Sequence, residues 1–350
     1  IVSTSINKRI KRIMAYSTIS KSSSYFNTKL YTGNGSTNAI TGVGFQPDWS
    51  WLKGSTLDHC LFDAVRGATK RIRSNTTNAE DTVSGITAFD TDGFTLGSSA
   101  EENQNSTTFT SWNWKANGSG SANSDGSINS TVSVNTTSGF SIVKYTGTGS
   151  AATVGHGLGA VPKMIIVKNL SASGDWMVYH QSIGNDHRLI FNTTSAKQDN
   201  SVWNDTTPTS SVWSMNDNGD ANGSGSDYIA YCFAEKTGYS KFGSYTGNSS
   251  TNGTFVYTGF KPAFVIVKDT STTANWGMID NKREGYNSNN QQYEPNDGDA
   301  QDNNQPFDIL SNGFKLRTAD GDFNVSGNTY IYMAFGQPIV STNGDIATAR

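Results

Sequence analysis

A tyrosine–threonine–glycine triplet, followed at fixed distance by a proline and then a lysine, occurs three times in this chain. The copies are Tyr31-Thr32-Gly33 with Pro47 and Lys53, Tyr145-Thr146-Gly147 with Pro162 and Lys168, and Tyr245-Thr246-Gly247 with Pro262 and Lys268. Tyrosine to proline takes 16, 17 and 17 residues, and proline to lysine takes 6 in every copy. Three spacings in register are not expected by chance, so the chain reads as three copies of one domain. Successive tyrosines lie 114 and 100 residues apart, too long for a solenoid unit and suited to a small independent β domain.

The expected division is a basic, Ser/Thr-rich arm over 1–22, a β domain over 23–118, and a Gly/Ser/Asn-rich linker or long loop over 119–138. A second β domain over 139–237 and a third over 238–350, with a short C-terminal tail, complete the chain. In the arm, Lys8, Arg9, Lys11 and Arg12 alternate with Ile6, Ile10 and Ile13. It reads as a docking arm, a tag or processing remnant, or upstream sequence not normally translated, with Met14 a candidate start.

Only 34% of the residues are apolar, and 36 glycines with many Ser, Thr and Asn take their place, as in turn-rich β-structure with polar loops. The 39 aromatic residues (17 Phe, 14 Tyr, 8 Trp) argue against disorder and can fill three small cores. Charged residues reach 16% with a net charge of −3, which carries no nucleic-acid or anionic-membrane signal. Two cysteines at non-equivalent places, Cys60 and Cys232, leave no disulfide framework or metal cluster. No apolar run approaches the ~18 residues of a membrane span, and no signal-peptide core is seen, so a soluble protein is expected.

Within each copy the pattern is strand, turn, strand. Phe140-Ser141-Ile142-Val143-Lys144-Tyr145 alternates like a half-buried strand, and Phe264-Val265-Ile266-Val267 is a short apolar run of the kind covered on both faces. Each proline stands just before such a run, where a strand tolerates a missing N–H. Asp92-Gly93-Phe94 and Asn312-Gly313-Phe314 read as hairpin turns, with Val212-Trp213 in the middle copy instead. No convincing amphipathic helix follows the first twenty residues. The fold expected is all-β: three consecutive homologous sandwich or jelly-roll-like domains of about 100 residues each.

Few residues suggest chemistry. Asp63/Arg66 and Asp280/Arg283 repeat an Asp-x-x-Arg after the lysine strand, with His180 near that place in copy two. Repetition favours a salt bridge closing a turn over a catalytic pair. Trp176 and Trp276 stand eight residues after their lysines, with Leu61 at that distance in copy one, a set that reads as core. Trp203 and Trp213 belong to copy two alone and flank a polar loop containing Asp205. They are candidates for a glycan-contact surface, weighed against ordinary core. Two acidic loops, with Asp217 and Asp220 and with Asp297 and Asp299, are candidate calcium loops. Neither has EF-hand spacing, and a solvated loop is the simpler reading. Gly155-His156-Gly157-Leu158-Gly159 precedes a strand rather than a helix, so a phosphate cradle is not expected. Neither zinc spacing, a Gly-x-Ser-x-Gly elbow nor a distinct carboxylate pair is present, so no enzyme, metal or cofactor is expected apart from that calcium.

Several segments carry a family likeness: Tyr31-Thr32-Gly33-Asn34-Gly35-Ser36, Asp227-Tyr228-Ile229-Ala230-Tyr231-Cys232-Phe233-Ala234-Glu235-Lys236, Gly313-Phe314-Lys315-Leu316-Arg317-Thr318, and Tyr330-Ile331-Tyr332-Met333-Ala334-Phe335 with a tail ending Ala349-Arg350. Together, over about residues 25–350, they resemble a repeat domain of unknown function in virion proteins of marine tailed bacteriophages, including cyanophages. Copy one departs most, with Trp and Leu in place of the Ile/Val run, as a specialised attachment or terminal domain would. The resemblance brings no catalytic or binding residues. It implies a non-enzymatic structural protein at the virion surface, as a tail-fibre or receptor-binding component contacting the host. A capsid-surface fibre, knob or decoration protein is the nearest alternative, then a lectin-like glycan-binding module. The partners implied are other virion proteins of tail or capsid, a host surface glycan or receptor, and further copies of the chain, with a trimer favoured.

Overall fold

The computed structural model describes residues 17–283, 287–288, 291–303 and 307–339, and its regular structure is nearly all strand. Residues 1–16 of the basic arm and 340–350 of the tail lie outside the described residues. No described helix is long and apolar enough to cross a membrane.

One four-strand order occurs three times. In unit one, Phe26–Thr32 pairs with Thr108–Trp114, which pairs with Trp49–Gly54 and then Cys60–Asp63. Unit two repeats it with Phe140–Thr146, Asp227–Phe233, Met164–Asn169 and Met177–His180. Unit three repeats it with Ser240–Thr246, Thr329–Pro338, Phe260–Asp269 and Trp276–Asp280. All these pairings are antiparallel. A smaller sheet packs over the outer face of each: Asn38–Thr41 with Gly93–Leu96 and Ile86–Asp90, Ala152–Gly155 with Val212–Met215, and Phe255–Tyr257 with Gly313–Leu316 and Phe307–Leu310.

The alternation of each central strand divides its side chains between two cores. Ile165 and Val167 face unit two's own small sheet, as Val265 and Val267 do in unit three and Leu52 in unit one. Met164, Ile166, Phe264, Ile266, Trp49 and Trp51 face the other way, into one core shared by all three units. There Trp49 stacks on Tyr231 at 4.4 Å, Phe26 on Phe335 at 5.6 Å, and Phe191 meets Trp276 at 4.6 Å. The expected independence of the domains is thereby corrected: three sandwiches close on one another around a common aromatic centre. The Trp residues that set copy one apart, Trp49, Trp51, Trp112 and Trp114, are all buried in that centre, not presented for attachment.

The repeated triplet has a mechanical reason. The hydroxyls of Tyr31, Tyr145 and Tyr245 donate to the carbonyls of Glu102, Ala221 and Phe323, at 2.7, 2.6 and 2.8 Å. The following asparagines, Asn103, Asn222 and Asn324, are fully buried and receive the backbone N–H of Asn34, Thr148 and Asn248, each at 2.9 Å. Their amides donate back to loop carbonyls, so each knot is closed in both directions. A Cβ on Gly33, Gly147 or Gly247 would come within 2.3, 2.4 and 2.1 Å of the backbone oxygen of Gln104, Gly223 and Val325, which is why only glycine ends the triplet. Pro47, Pro162 and Pro262 are buried at the strand entries, and Pro262 stands at a register shift between Pro262 and Phe264.

The expected linker over 119–138 is instead sheet. Ser121–Asn123 and Ser130–Asn135 pair with each other and extend unit two's large sheet beyond Phe140–Thr146. Val132 and Val134 supply its few apolar contacts, and the edge position tolerates the Ser/Asn composition that disguised it.

A shared core predicts one cooperative unfolding transition rather than three. Trp49→Ala should cost about 3–5 kcal/mol, and residues 139–237 expressed alone should fail to fold. Calorimetry checks both; three resolved transitions would show that the units stand independently.

Candidate functional site

The repeat lysines are fully buried at the joints between units. Lys53 Nζ lies 2.6–3.2 Å from the carbonyl oxygens of Gly54, Ser55 and Leu57 in its own unit and of Gly298 and Asp299 in unit three. Lys168 reaches Asn169 and Gly174 and crosses to Thr77 of unit one, while Lys268 reaches Asp269 and crosses to Thr194 of unit two. Each unit therefore hands one ammonium to a neighbour, and the three hand-offs close a ring. Burial pulls all three amines down from 10.5 to about 8, with Asp58, Asp220 and Asp269 offsetting part of the loss for Lys53, Lys168 and Lys268 respectively.

A second ring runs in the opposite sense. Asp63 accepts the Tyr231 hydroxyl of unit two at 2.8 Å, and Asp280 accepts the Trp112 indole N–H of unit one at 3.2 Å. The counterpart in unit two is His180, whose Nε2 donates to the Tyr332 carbonyl of unit three at 3.3 Å while Nδ1 accepts the N–H of Ser182. Burial lowers this imidazole to about 4, so it stays neutral. Arg66 and Arg283 close onto Asp63 and Asp280 through Nε, and both carboxylates are fully buried. The salt-bridge reading of Asp-x-x-Arg fits this geometry. Trp176 and Trp276 also cross joints, donating to the carbonyls of Arg73 and Ile190. Their counterpart is His59, edge-on to Tyr293, and not Leu61, because the unit-one hairpin is two residues shorter.

The glycan-contact residues are corrected by burial. Trp203 and Trp213 have 1% and 0% of their surface exposed and pack edge-on against Tyr179 and Tyr145 inside unit two's own core. Trp203 ends a 3-10 turn capped by Asn200, after which left-handed Asn204 and Asp205 swing the chain outward, so that of the three glycan-contact candidates Asp205 alone is exposed. The calcium loops do not assemble either: neither pair belongs to a grouping of three acidic, Cys or His ligands among the described residues. Asp217 is exposed, and Asp220 turns in to accept the N–H of Asp175. Asp297 accepts the N–H of Asp299, and the loop oxygens that do converge, on Gly298 and Asp299, already hold a cation, the Lys53 ammonium.

Cys60, Glu101 and Glu102 do lie within 4.8 Å of one another. Arg71 binds Asp81, Glu101 and Glu102 at 2.6, 2.7 and 3.0 Å, and Arg73 binds Glu101, Asp58 and Asp81. Two guanidiniums thus occupy the place of a metal, and burial pushes the Cys60 thiol up, against thiolate. The doublets Arg71-x-Arg73 and Glu101-Glu102 were visible in the sequence but had no counterpart in the other copies.

The feature that best fits a ligand is a cleft of about 500 Å³ where units one and three meet. Leu30, Ser55 and Thr108 from unit one and Arg283, Tyr293 and Gln301 from unit three line it. The Arg283 guanidinium lies 4.4 Å from the Tyr293 ring centre; its Nη2 donates to Met278 O and its Nη1 has no hydrogen-bond partner among the described residues. Residues 21–338 match a family model described as a domain of unknown function (DUF7483). The chain belongs to that family. A single family domain takes in all three units and the cleft between them. No curated protein and no solved structure matches the chain.

Lys53→Met leaves five carbonyls facing a methyl group and should cost about 3–5 kcal/mol in urea denaturation. The lysines also set a pH dependence. With folded values near 8 against an ordinary 10.5, the unfolded chain binds more protons between them, so stability rises with pH there. Tyr31, Tyr145 and Tyr245 are raised well above 10.0 by burial, so stability falls once unfolded tyrosines ionise. Urea midpoints at about pH 7, 9 and 11 should therefore rise and then drop; a decrease from the first to the second would contradict the desolvation of the ammoniums.

Proposed function

We propose that the chain is a non-enzymatic structural protein displayed on the outside of a phage particle, as a tail-associated fibre or receptor-binding component that meets the host surface. The observation that carries this reading is where the reactive side chains go. The buried lysines, the Asp-x-x-Arg pairs and His180 spend their hydrogen bonds on joints between units. What remains for the outside is Ser, Thr, Asn and Gly loop on a stiff β scaffold, suited to contact rather than turnover. The virion resemblance of the repeat segments points the same way and supplies the partners: other tail or capsid proteins, a host glycan or receptor, and further copies of the chain.

A capsid-surface knob or decoration protein is the second reading. It is favoured by the ring of three like units, because one chain then offers a threefold outline to a threefold position on a lattice. Antibody labelling and cryo-EM reconstruction of intact particles separate the two. Density at the tail or collar is the expected result; density spread over the capsid supports the decoration reading, and absence from the particle overturns both.

A further inference from the structure

The cleft lies at the joint between units one and three, where a bond that spans the other two joints is missing among the described residues. In the other two, a backbone bond crosses at the equivalent place. The register identifies it: Arg71 pairs with Asp81, Arg188 with Gln198 and Gln292 with Asp302, so Glu80, Lys197 and Gln301 occupy matching places. The N–H of Glu80 donates to the Leu170 carbonyl of unit two at 3.1 Å, and that of Lys197 to the Thr270 carbonyl of unit three at 3.2 Å. Leu170 and Thr270 each stand two residues after their buried lysine, where unit one has Ser55. No Gln301–Ser55 bond forms among the described residues, and both side chains line the cleft instead.

Arg66 and Arg283 make the same bonds at two of their three nitrogens: Nε to the aspartate, and Nη2 to the carbonyl of Leu61 at 3.1 Å or of Met278 at 3.2 Å. They differ at the third. Arg66 Nη1 meets the Glu80 carboxylate at 3.2 Å, whereas Arg283 Nη1 has no partner among the described residues, on a side chain 5% exposed. Glutamine at 301, in the place that glutamate holds in unit one, puts no such carboxylate at the joint where the cleft lies.

We infer that this cleft binds a carboxylate-bearing sugar of the uronate class, whose carboxylate takes at Arg283 the position that Glu80 fills at Arg66. The Asp280 carboxylate holds Nε, and the Nη1 left over beside the cleft is a charged donor suited to a carboxylate. The remaining lining matches a pyranose: hydroxyls of Ser55, Thr108 and Thr110 and the Gln301 amide for its hydroxyls, with Leu30 and the Tyr293 ring for its C–H faces. The volume is in the range of small-ligand sites. Asp297, Asp299 and Asp302 are close in sequence but are not among the lining residues.

The inference deepens the host-contact reading and rests on it only for where the sugar comes from. Calorimetric titration of the full chain with digalacturonate, cellobiose and acetate tests the site itself. Digalacturonate should bind about tenfold or more tighter than either control. Gln301→Glu should abolish that binding by filling the joint from within, with an unchanged or higher urea midpoint, so that folding is not in question. Equal binding of the neutral disaccharide, equal binding of acetate, no measurable binding to the wild type, or full binding by Gln301→Glu would each overturn the inference. Acidic-sugar binding by a chain absent from particles would leave the site standing and remove the virion reading; particle location without binding would do the reverse.

Discussion

Each central strand of this protein is apolar on both faces, and one small outer sheet can cover only one of them. Trp49–Gly54, Met164–Asn169 and Phe260–Asp269 therefore need a second cover, and the corresponding faces of the other units supply it. Three sandwiches closing on a common aromatic centre satisfy all three strands at once. The polar groups that this closure traps at its rim must find partners there, since an unpaired buried donor costs about 1–3 kcal/mol. The lysine and aspartate rings answer that demand. Because backbone carbonyls rather than carboxylates hold the ammoniums, each tie depends on loop conformation in the neighbouring unit, and the units fold as a set.

Likeness among the units makes their differences informative. A contact present three times serves architecture, as the stacked pairs Tyr31–Phe109, Tyr145–Tyr228 and Tyr245–Tyr330 do. His180 in place of an aspartate keeps the tie while changing its chemistry from acceptor to donor. The Arg71–Arg73 network of unit one has no counterpart, yet it is internally paired and buys local rigidity. At the joint between units three and one, a difference leaves both a space and, among the described residues, an unmet donor.

Much of the fold was legible. The triplet, the proline and the apolar run after it announce a strand buried on both faces, because each is a local requirement of backbone geometry or patterning. The lysines were legible as a repeat but not as cages, since a lone lysine beside a strand ordinarily points to water. Asn103, Asn222 and Asn324 went unnoticed among many asparagines, although each precedes an aromatic residue by six positions. Trp203 and Trp213 misled because polar neighbours suggest exposure, whereas a turn of left-handed residues can hold an indole inside and its loop outside. The strands at 121–123 and 130–135 carried too few apolar residues to be distinguished from a linker.

By itself the sequence determined three β units of one pattern and the glycine, proline and lysine positions on which that pattern turns. These follow from short-range constraints that every copy meets alone. Tertiary structure decided how the units meet, which charges are buried, and at which joint the cleft lies. Those outcomes depend on pairs such as Lys53 with Gly298 and Arg66 with Glu80, which form only when distant segments pack; Arg283, whose Nη1 meets no such carboxylate among the described residues, is understood only beside them.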